Sequence, residues 1–174
     1  RGRWKRGLCA LLCASALASA LAEFGLRVRL GAPLAERLPI VRVRSNPYRG
    51  WEMVPKEAHY TYQHRVQVNA LGLRGADLGA KSPQEGRILC LGDSLVYGQG
   101  VADEETLPAL LEAELQAGTS AGGTWRAING GLRAYGTQQE LGLLEELGAT
   151  LEPDGVVLFW FWNDLVERSI PEAA

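Results

Sequence analysis

The sequence feature that most constrains the fold is the stretch at residues 87–100, RILCLGDSLVYGQG. It begins with a short apolar run that stops at Gly-Asp-Ser, and a glycine-punctuated segment follows. A short apolar run ended by turn-forming residues predicts a buried strand that leads into a sharp turn. Ser94 then lies just past the carboxyl end of that strand. Ligands of open α/β sheets bind at this edge, so Ser94 is the first candidate functional residue.

Downstream of this strand the chain repeats the order strand, loop and helix. We predict a helix over 103–116 whose true start is at 105–107, a strand over 125–129, a helix over 137–148 and a strand over 155–162. The last strand, GVVLFWFW, has the composition of a strand buried on both faces. Strands and helices that alternate at this spacing predict βαβ units, a parallel sheet and an α/β fold class. Right-handed crossovers then place helices on both faces, as a three-layer α/β/α domain.

The N-terminal segment predicts export or membrane attachment. Four basic residues within positions 1–6 precede an uncharged run rich in Ala and Leu at 7–22. Residues 1–26 are therefore either a cleaved signal peptide, with Ala20-Leu21-Ala22 as its cleavage site, or an uncleaved anchor. The uncharged run is shorter than the roughly 20 apolar residues of a membrane span, which favours cleavage. Both interpretations predict an extracytoplasmic body, periplasmic or at the cell surface, because the basic end stays inside.

The charges are unevenly distributed. Residues 1–44 hold nine of the 18 basic residues and two acidic ones, whereas the rest holds nine basic and 18 acidic residues. An acidic body argues against a nucleic-acid partner. Residues 27–86 are predicted to be a connector and extended lead-in, with an extended strand over 60–68. Its aromatic residues are expected to pack onto the domain, and a sugar-binding platform is the alternative. The arginines of this connector are expected either to contact anionic headgroups or to be solvated.

Histidine and cysteine give little chemistry in this sequence. His59 and His64 lie far from Ser94 in sequence, and a structural role is expected for both. Cys9, Cys13 and Cys90 have no spacing typical of a disulfide framework or a metal site, and Cys90 is predicted to be a small core residue. No metal or cofactor is predicted.

Polar groups follow each of the three predicted strands and should meet at one sheet edge. These are Ser94, the loop at 129–136, and Asn163 with Asp164. A serine nucleophile needs a base, and attack on an ester carbonyl creates an oxyanion that needs preorganised donors. The Ser94 N–H, an N–H of the 131–136 loop and the Asn163 amide are candidate donors. Asp93 and Asp164 are expected to brace turns.

Two common motifs are excluded. Val96 stands where the strained G-x-S-x-G elbow of α/β-hydrolases needs its last glycine. No Gly-Lys-Ser/Thr follows the first strand, so this is not a phosphate-binding loop.

Residues 69–165 resemble the SGNH, or GDSL-type, hydrolase family. The stretch 87–100 is similar to the family's first block, with Ser94 matching the nucleophile. The stretch 127–141, AINGGLRAYGTQQEL, resembles the second block, and 153–164, PDGVVLFWFWND, resembles the third, with Asn163 matching the oxyanion asparagine. The stretch 69–74, NALGLR, resembles the lead-in of membrane-tethered bacterial members.

The resemblance implies a flavodoxin-like parallel sheet and a serine esterase or acylhydrolase that works through an acyl-enzyme, without metal or cofactor. The substrate would be a small-molecule or carbohydrate ester. Residues 87–174 would then be the N-terminal part of the hydrolase domain, incomplete at the C-terminus.

Two departures from the family pattern matter. The second-block glycine falls on Ala134, whose N–H serves equally well unless the site needs a positive φ; Gly136 is the substitute after a small shift of register. The fourth motif, Asp-x-x-His, has no counterpart, since no histidine follows His64. We expect the base to come from beyond Ala174 and the 174-residue chain alone to be inactive. The alternatives are an acyltransferase to a surface sugar and a catalytically inactive, membrane-tethered binding module on the same fold.

Overall fold

The computed structural model describes residues 2–31, 35–119 and 123–165, without the side chains of Gly2, Arg3, Asn163 and Leu165. The chain divides into two compact units, residues 1–35 and residues 36–174.

The described part of the first unit contains one helix, α1 (Gly2–Leu30), whose large apolar side chains are exposed. Residues Trp4–Leu30 of this helix are long and apolar enough to cross a membrane. Their 27 residues span about 40 Å at 1.5 Å per residue, against a hydrocarbon core of about 30 Å. The helix continues past the uncharged run, so its length gives no preference for cleavage. It is compatible with a signal peptide and with a membrane anchor.

The second unit begins with two antiparallel hairpins. The first pairs β1 (Val43–Asn46) with β2 (Gly50–Met53), and the second pairs β3 (Ala58–Thr61) with β4 (His64–Gln67). The prediction of one extended strand over 60–68 was therefore wrong. Tyr62 has φ 51° and turns the chain back, so the alternating residues are divided between two short strands.

The hairpins are followed by a three-stranded parallel sheet in the order β6-β5-β7. Its strands are β5 (Glu85–Gly92), β6 (Thr124–Asn129) and β7 (Gly155–Phe159). The helices are α2 (Ser94–Tyr97), α3 (Leu107–Ala117) and α4 (Thr137–Leu151), with 3-10 turns at Asp103–Glu105 and Trp162–Leu165. The predicted α/β class and parallel sheet are confirmed, and β5 is the central strand.

Helix starts were predicted well, and the last strand less well. Thr106 caps α3, within the predicted window. Strand β7 ends at Phe159, three residues before the end of the predicted strand over 155–162. It is also not buried on both faces as predicted, since Val156 is 44% and Leu158 47% exposed. Within the described chain no strand pairs with the outer edge of β7. This apolar strand therefore has an unpaired edge, although its composition is typical of a buried strand.

The core joins the lead-in to the sheet. Met53, Val66 and Leu73 of the lead-in are buried with residues of the sheet and α4: Leu89, Leu91, Ile128, Leu143, Leu147 and Leu151. The Trp51 ring meets the Tyr135 ring edge-on at 5.6 Å, and the Tyr135 hydroxyl donates to the Trp51 carbonyl at 2.7 Å. Packing of the lead-in onto the domain is therefore confirmed for Trp51.

Three connector arginines interact with the protein itself. The Arg37 guanidinium lies 4.5 Å from the centre of the Tyr60 ring. Arg42 and Arg44 form ion pairs with Glu57 and Glu52, at 3.4 and 2.6 Å. Their charges are therefore partly satisfied within the second unit, an arrangement that neither sequence alternative anticipated.

Candidate functional site

Ser94 is the first residue of α2 and lies directly past the carboxyl end of the central strand, as predicted. The preceding Asp93 is buried, and its Oδ1 accepts a hydrogen bond of 2.8 Å from the Leu95 N–H. Asp93 therefore braces the turn, as expected. Ser94 is partly buried, and among the described residues neither its hydroxyl nor its N–H has a hydrogen-bond partner. Both groups are available to a ligand at the sheet edge.

The loop after β6 is fastened beside Ser94. The Gly130 N–H donates to the Cys90 carbonyl at 2.8 Å, and the Leu132 N–H donates to the Gly92 carbonyl at 3.3 Å. A Cβ on Gly131 would lie 2.7 Å from the Val96 carbonyl carbon, so only glycine permits this approach to α2. These contacts bring the second predicted strand end against the first.

The two candidate donors of this loop differ in conformation. Ala134 has φ 64°, in a turn closed by the Tyr135 N–H and the Leu132 carbonyl at 3.1 Å. Its N–H has no hydrogen-bond partner in the described part of the chain. Gly136 is extended, and its N–H donates to Gln139 Oε1 at 3.1 Å as the cap of α4. Gly136 is thus the residue before α4, and in the described part of the chain Ala134 is the one of the two whose N–H is free.

The third strand end lies next to the first. Gly92 pairs with Phe159, so β5 and β7 end at the same level of the sheet. Asp164 is buried, and its Oδ2 accepts from the Phe161 N–H at 2.6 Å, which confirms its bracing role. The backbone of Asn163 lies in the 3-10 turn, whereas the side chain that was predicted as a donor lies outside the described set.

Both histidines belong to the second hairpin. His59 is fully buried, and its Nδ1 lies 3.3 Å from the Arg42 N–H, while its Nε2 lies 3.4 Å from the Val54 carbonyl. His64 pairs with Thr61 at the turn of the same hairpin. No described hydrogen bond joins either ring to Ser94, so a structural role for both agrees with these contacts.

Glu140 on α4 is a feature that sequence reasoning missed. It is 1% exposed, and neither carboxyl oxygen has a hydrogen-bond partner among the described residues. Burial raises the pKa of Glu140 to about 7, and the nearby Asp164 and Asp93 carboxylates add to the shift. Glu140 therefore lies close to the two carboxylates that brace the turns before Ser94 and after β7.

The other polar groups offer less. Cys90 is buried in β5, as predicted, and burial raises its pKa to about 11. Within the described ranges, no three His, Cys, Asp or Glu side chains are grouped as metal ligands. One cavity of about 560 Å³ is lined by the lead-in and Asp103, and another of about 180 Å³ is lined by the lead-in, the start of α3 and β6. Ser94 lines neither.

No protein-family model matches the sequence, and a search of curated proteins finds no significant match.

Proposed function

We propose that this chain carries the N-terminal part of an SGNH-type serine esterase or acylhydrolase. The observation that supports this proposal most is the state of Ser94: among the described residues, neither its hydroxyl nor its N–H has a hydrogen-bond partner at the carboxyl end of the central strand. The strand order β6-β5-β7 corresponds to the 2-1-3 start of a flavodoxin-like sheet. In that order the ligand crevice lies between the ends of the first and third strands. Ser94 and Asn163 follow those two strands.

In this mechanism, Ser94 Oγ attacks the acyl carbonyl and loses its proton to a base. The C–O bond of the ester then breaks, the alcohol leaves with the proton, and the acyl group remains on Ser94. Water hydrolyses the acyl-enzyme in the same way. The Ser94 N–H, the Ala134 N–H and the Asn163 amide hold the oxyanion. The base belongs to an Asp-x-x-His pair that has no counterpart in these 174 residues.

Helix α1 is long and apolar enough to cross a membrane, which supports an exported or anchored enzyme that acts outside the cytoplasm. Its proposed substrate is a small-molecule or carbohydrate ester. The mass of the N-terminus, measured on membrane and soluble fractions, distinguishes the two forms. An anchor retains α1 in the membrane fraction, whereas a cleaved signal leaves a soluble protein that begins near residue 23.

The direct test is labelling by a fluorophosphonate, a probe that reacts with activated serines. The protein is produced from its complete coding sequence, and Ser94→Ala is compared with Ser45→Ala, an exposed serine of β1. We expect labelling and ester hydrolysis in the natural protein and in Ser45→Ala, and neither in Ser94→Ala. Labelling that survives Ser94→Ala, or no labelling of the natural protein, overturns the proposal. An acylated sugar instead of a free acid as product identifies an acyltransferase.

A catalytically inactive binding module is the second candidate, and Ala134 favours it. Ala134 has a left-handed backbone conformation, which glycine adopts without strain. The residue best suited to a rigid oxyanion donor at this position is therefore absent. The coding sequence after the Ala174 codon discriminates between the two. An Asp-x-x-His supports the esterase, and a stop codon supports the binding module.

A further inference from the structure

The segment that carries Ser94 is held from behind by a buried arginine. The Arg74 side chain is 2% exposed and donates four hydrogen bonds. Its Nη1 donates to the carbonyls of Tyr97 and Gly98, at 2.8 and 2.7 Å. Its Nη2 donates to the Val101 carbonyl at 2.8 Å, and its Nε donates to Asp103 Oδ1 at 2.7 Å.

Two of these carbonyls, those of Tyr97 and Gly98, lie at the C-terminal end of the short helix α2. The last carbonyls of any helix have no partner within it, and α2 consists of one turn only. Asn129 Nδ2 donates a hydrogen bond of 3.0 Å to the Val96 carbonyl, and Arg74 donates to the carbonyls of the next two residues, Tyr97 and Gly98. The guanidinium also lies 5.1 Å from the centre of the Tyr97 ring. One side chain therefore closes the end of α2 and orders the loop after it.

The main chain of Arg74 is fixed at the same time. It forms antiparallel bridges with Val68 and with Asn129, the last residue of β6. The backbone of Arg74 thus belongs to the edge of the sheet, and its guanidinium belongs to the Ser94 segment. The planar guanidinium presents several N–H donors in a fixed arrangement, which lets it reach all four acceptors at once. The ammonium of a lysine is a single point charge and cannot reproduce this arrangement.

We propose that Arg74 is the positioning residue that holds α2, and with it the Ser94 hydroxyl and N–H, against the carboxyl end of β5. Arg74 does not touch Ser94 and acts through the carbonyls of residues 97, 98 and 101. The proposal rests on the proposed serine chemistry. Its physical part, the ordering of residues 94–101, is measured without any activity.

The experiment compares Arg74→Lys with Arg87→Lys. Arg87 is a matched control because it is equally buried and also donates to two carbonyls and an acid: Leu151 at 3.1 Å, Gly79 at 2.8 Å and Glu85 at 2.7 Å. It lies at the amino end of β5, away from Ser94. Asp103→Asn is a milder variant that keeps Arg74 and weakens its anchor, and Asp103 is 38% exposed.

Two readouts are taken on the protein from its complete coding sequence. In Arg74→Lys, amide hydrogen exchange at residues 94–101 should accelerate roughly tenfold, as the loss of one or two buried hydrogen bonds predicts. Fluorophosphonate labelling of Ser94 should slow by a similar factor, with kcat falling more than KM changes. Arg87→Lys should leave both within about twofold while lowering the melting temperature, and Asp103→Asn should give an intermediate effect.

Equal effects of Arg74→Lys and Arg87→Lys on residues 94–101, or no effect of Arg74→Lys, overturn the positioning role. If Arg74→Lys does not fold, Asp103→Asn decides by the same exchange measurement. If the natural protein is never labelled, the proposed function fails, and hydrogen exchange alone then decides whether Arg74 orders α2.

Discussion

At the scale of single residues, the candidate site combines a strained backbone with a buried acid. Ala134 is held at φ 64°, a conformation that costs a residue with a Cβ about 1–2 kcal/mol. Glu140 is buried with both carboxyl oxygens unpartnered. Both features lie in the segment between β6 and α4 or on α4, so residues that weaken the fold are concentrated around the strand ends. Such a concentration is typical of functional sites.

Ala134→Gly should stabilise the protein by about 0.5–1 kcal/mol, because glycine adopts this φ without strain. Ala149→Gly on α4 is the control and should destabilise by about 1 kcal/mol, since glycine is a poor helix former. Urea denaturation measures both free energies of unfolding. A loss of stability in Ala134→Gly would contradict the strained conformation. In the esterase, this variant should keep or increase the rate of ester hydrolysis.

Glu140 should make stability depend on pH. Its pKa is about 7 in the folded protein, above the ordinary 4.5, so between these values the folded state holds a proton that the unfolded state has released. The contribution of Glu140 to stability should therefore be largest below about pH 4.5 and fall, by at most about 3 kcal/mol, as pH rises to 7. Asp93 and Asp164 face this carboxyl and strengthen the effect.

The measurement is urea denaturation from pH 5 to pH 8. Glu140→Gln should flatten the decline and exceed the natural protein in stability at pH 8. Glu145→Gln changes an exposed residue of the same helix and should keep the decline. A decline that persists unchanged in Glu140→Gln assigns it to another group.

At the scale of elements, short segments depend on their neighbours. One turn of helix is not stable alone in water, and α2 exists because Asn129 and Arg74 bind its carbonyls. The first hairpin is tied to α4 by Arg49, which donates to Glu52 at 2.6 Å and lies 2.6 Å from Glu146 as a charge contact without hydrogen-bond geometry. By contrast, β7 offers an unpaired apolar edge within the described chain, which favours aggregation.

Arg49→Ala should destabilise the protein by about 3–5 kcal/mol, because it removes the buried cation that lies between the two acids Glu52 and Glu146. Arg44→Ala is matched to it, since Arg44 pairs with the same Glu52, but its side chain is 57% exposed. Its loss should cost less than about 1 kcal/mol. Denaturant titration compares the two, and equal losses would argue against the buried tether between the hairpin and α4.

At the scale of the whole molecule, the lead-in is part of the folded unit. Met53, Val66, Val68 and Leu73 are buried in the core, and each contributes about 2 kcal/mol by burial. Their sum is comparable with the whole stability of a typical domain, about 5–15 kcal/mol. The part of the chain that resembles the catalytic blocks therefore cannot be separated from the hairpins.

A protein that starts at residue 75 should not fold cooperatively, because it lacks these four side chains. The control is a protein that starts at residue 36, which keeps the entire second unit. Thermal melting followed by near-UV circular dichroism should give a cooperative transition for the longer form and none for the shorter. A sharp melt of the protein starting at residue 75 would show that the lead-in is dispensable.

Sequence alone determined the features that depend on nearby residues. Local apolar runs predicted the α/β class, the parallel sheet and the position of Ser94 after the central strand. Turn residues and caps predicted the start of α3 and the bracing roles of Asp93 and Asp164. These signals act within a few residues along the chain, so they can be read without the fold.

Only the tertiary structure decided the features that depend on distant residues. The burial of Glu140 and the reach of Arg74 to α2 depend on residues far away in sequence. The positive φ values of Tyr62 and Ala134 occur in turns whose residues at these positions are not glycine, so no local signal marked them. The exposure of β7 likewise depends on which strands lie beside it, not on its own composition. Packing, not propensity, sets these properties, because a side chain's burial and a strained φ are fixed by the surrounding contacts.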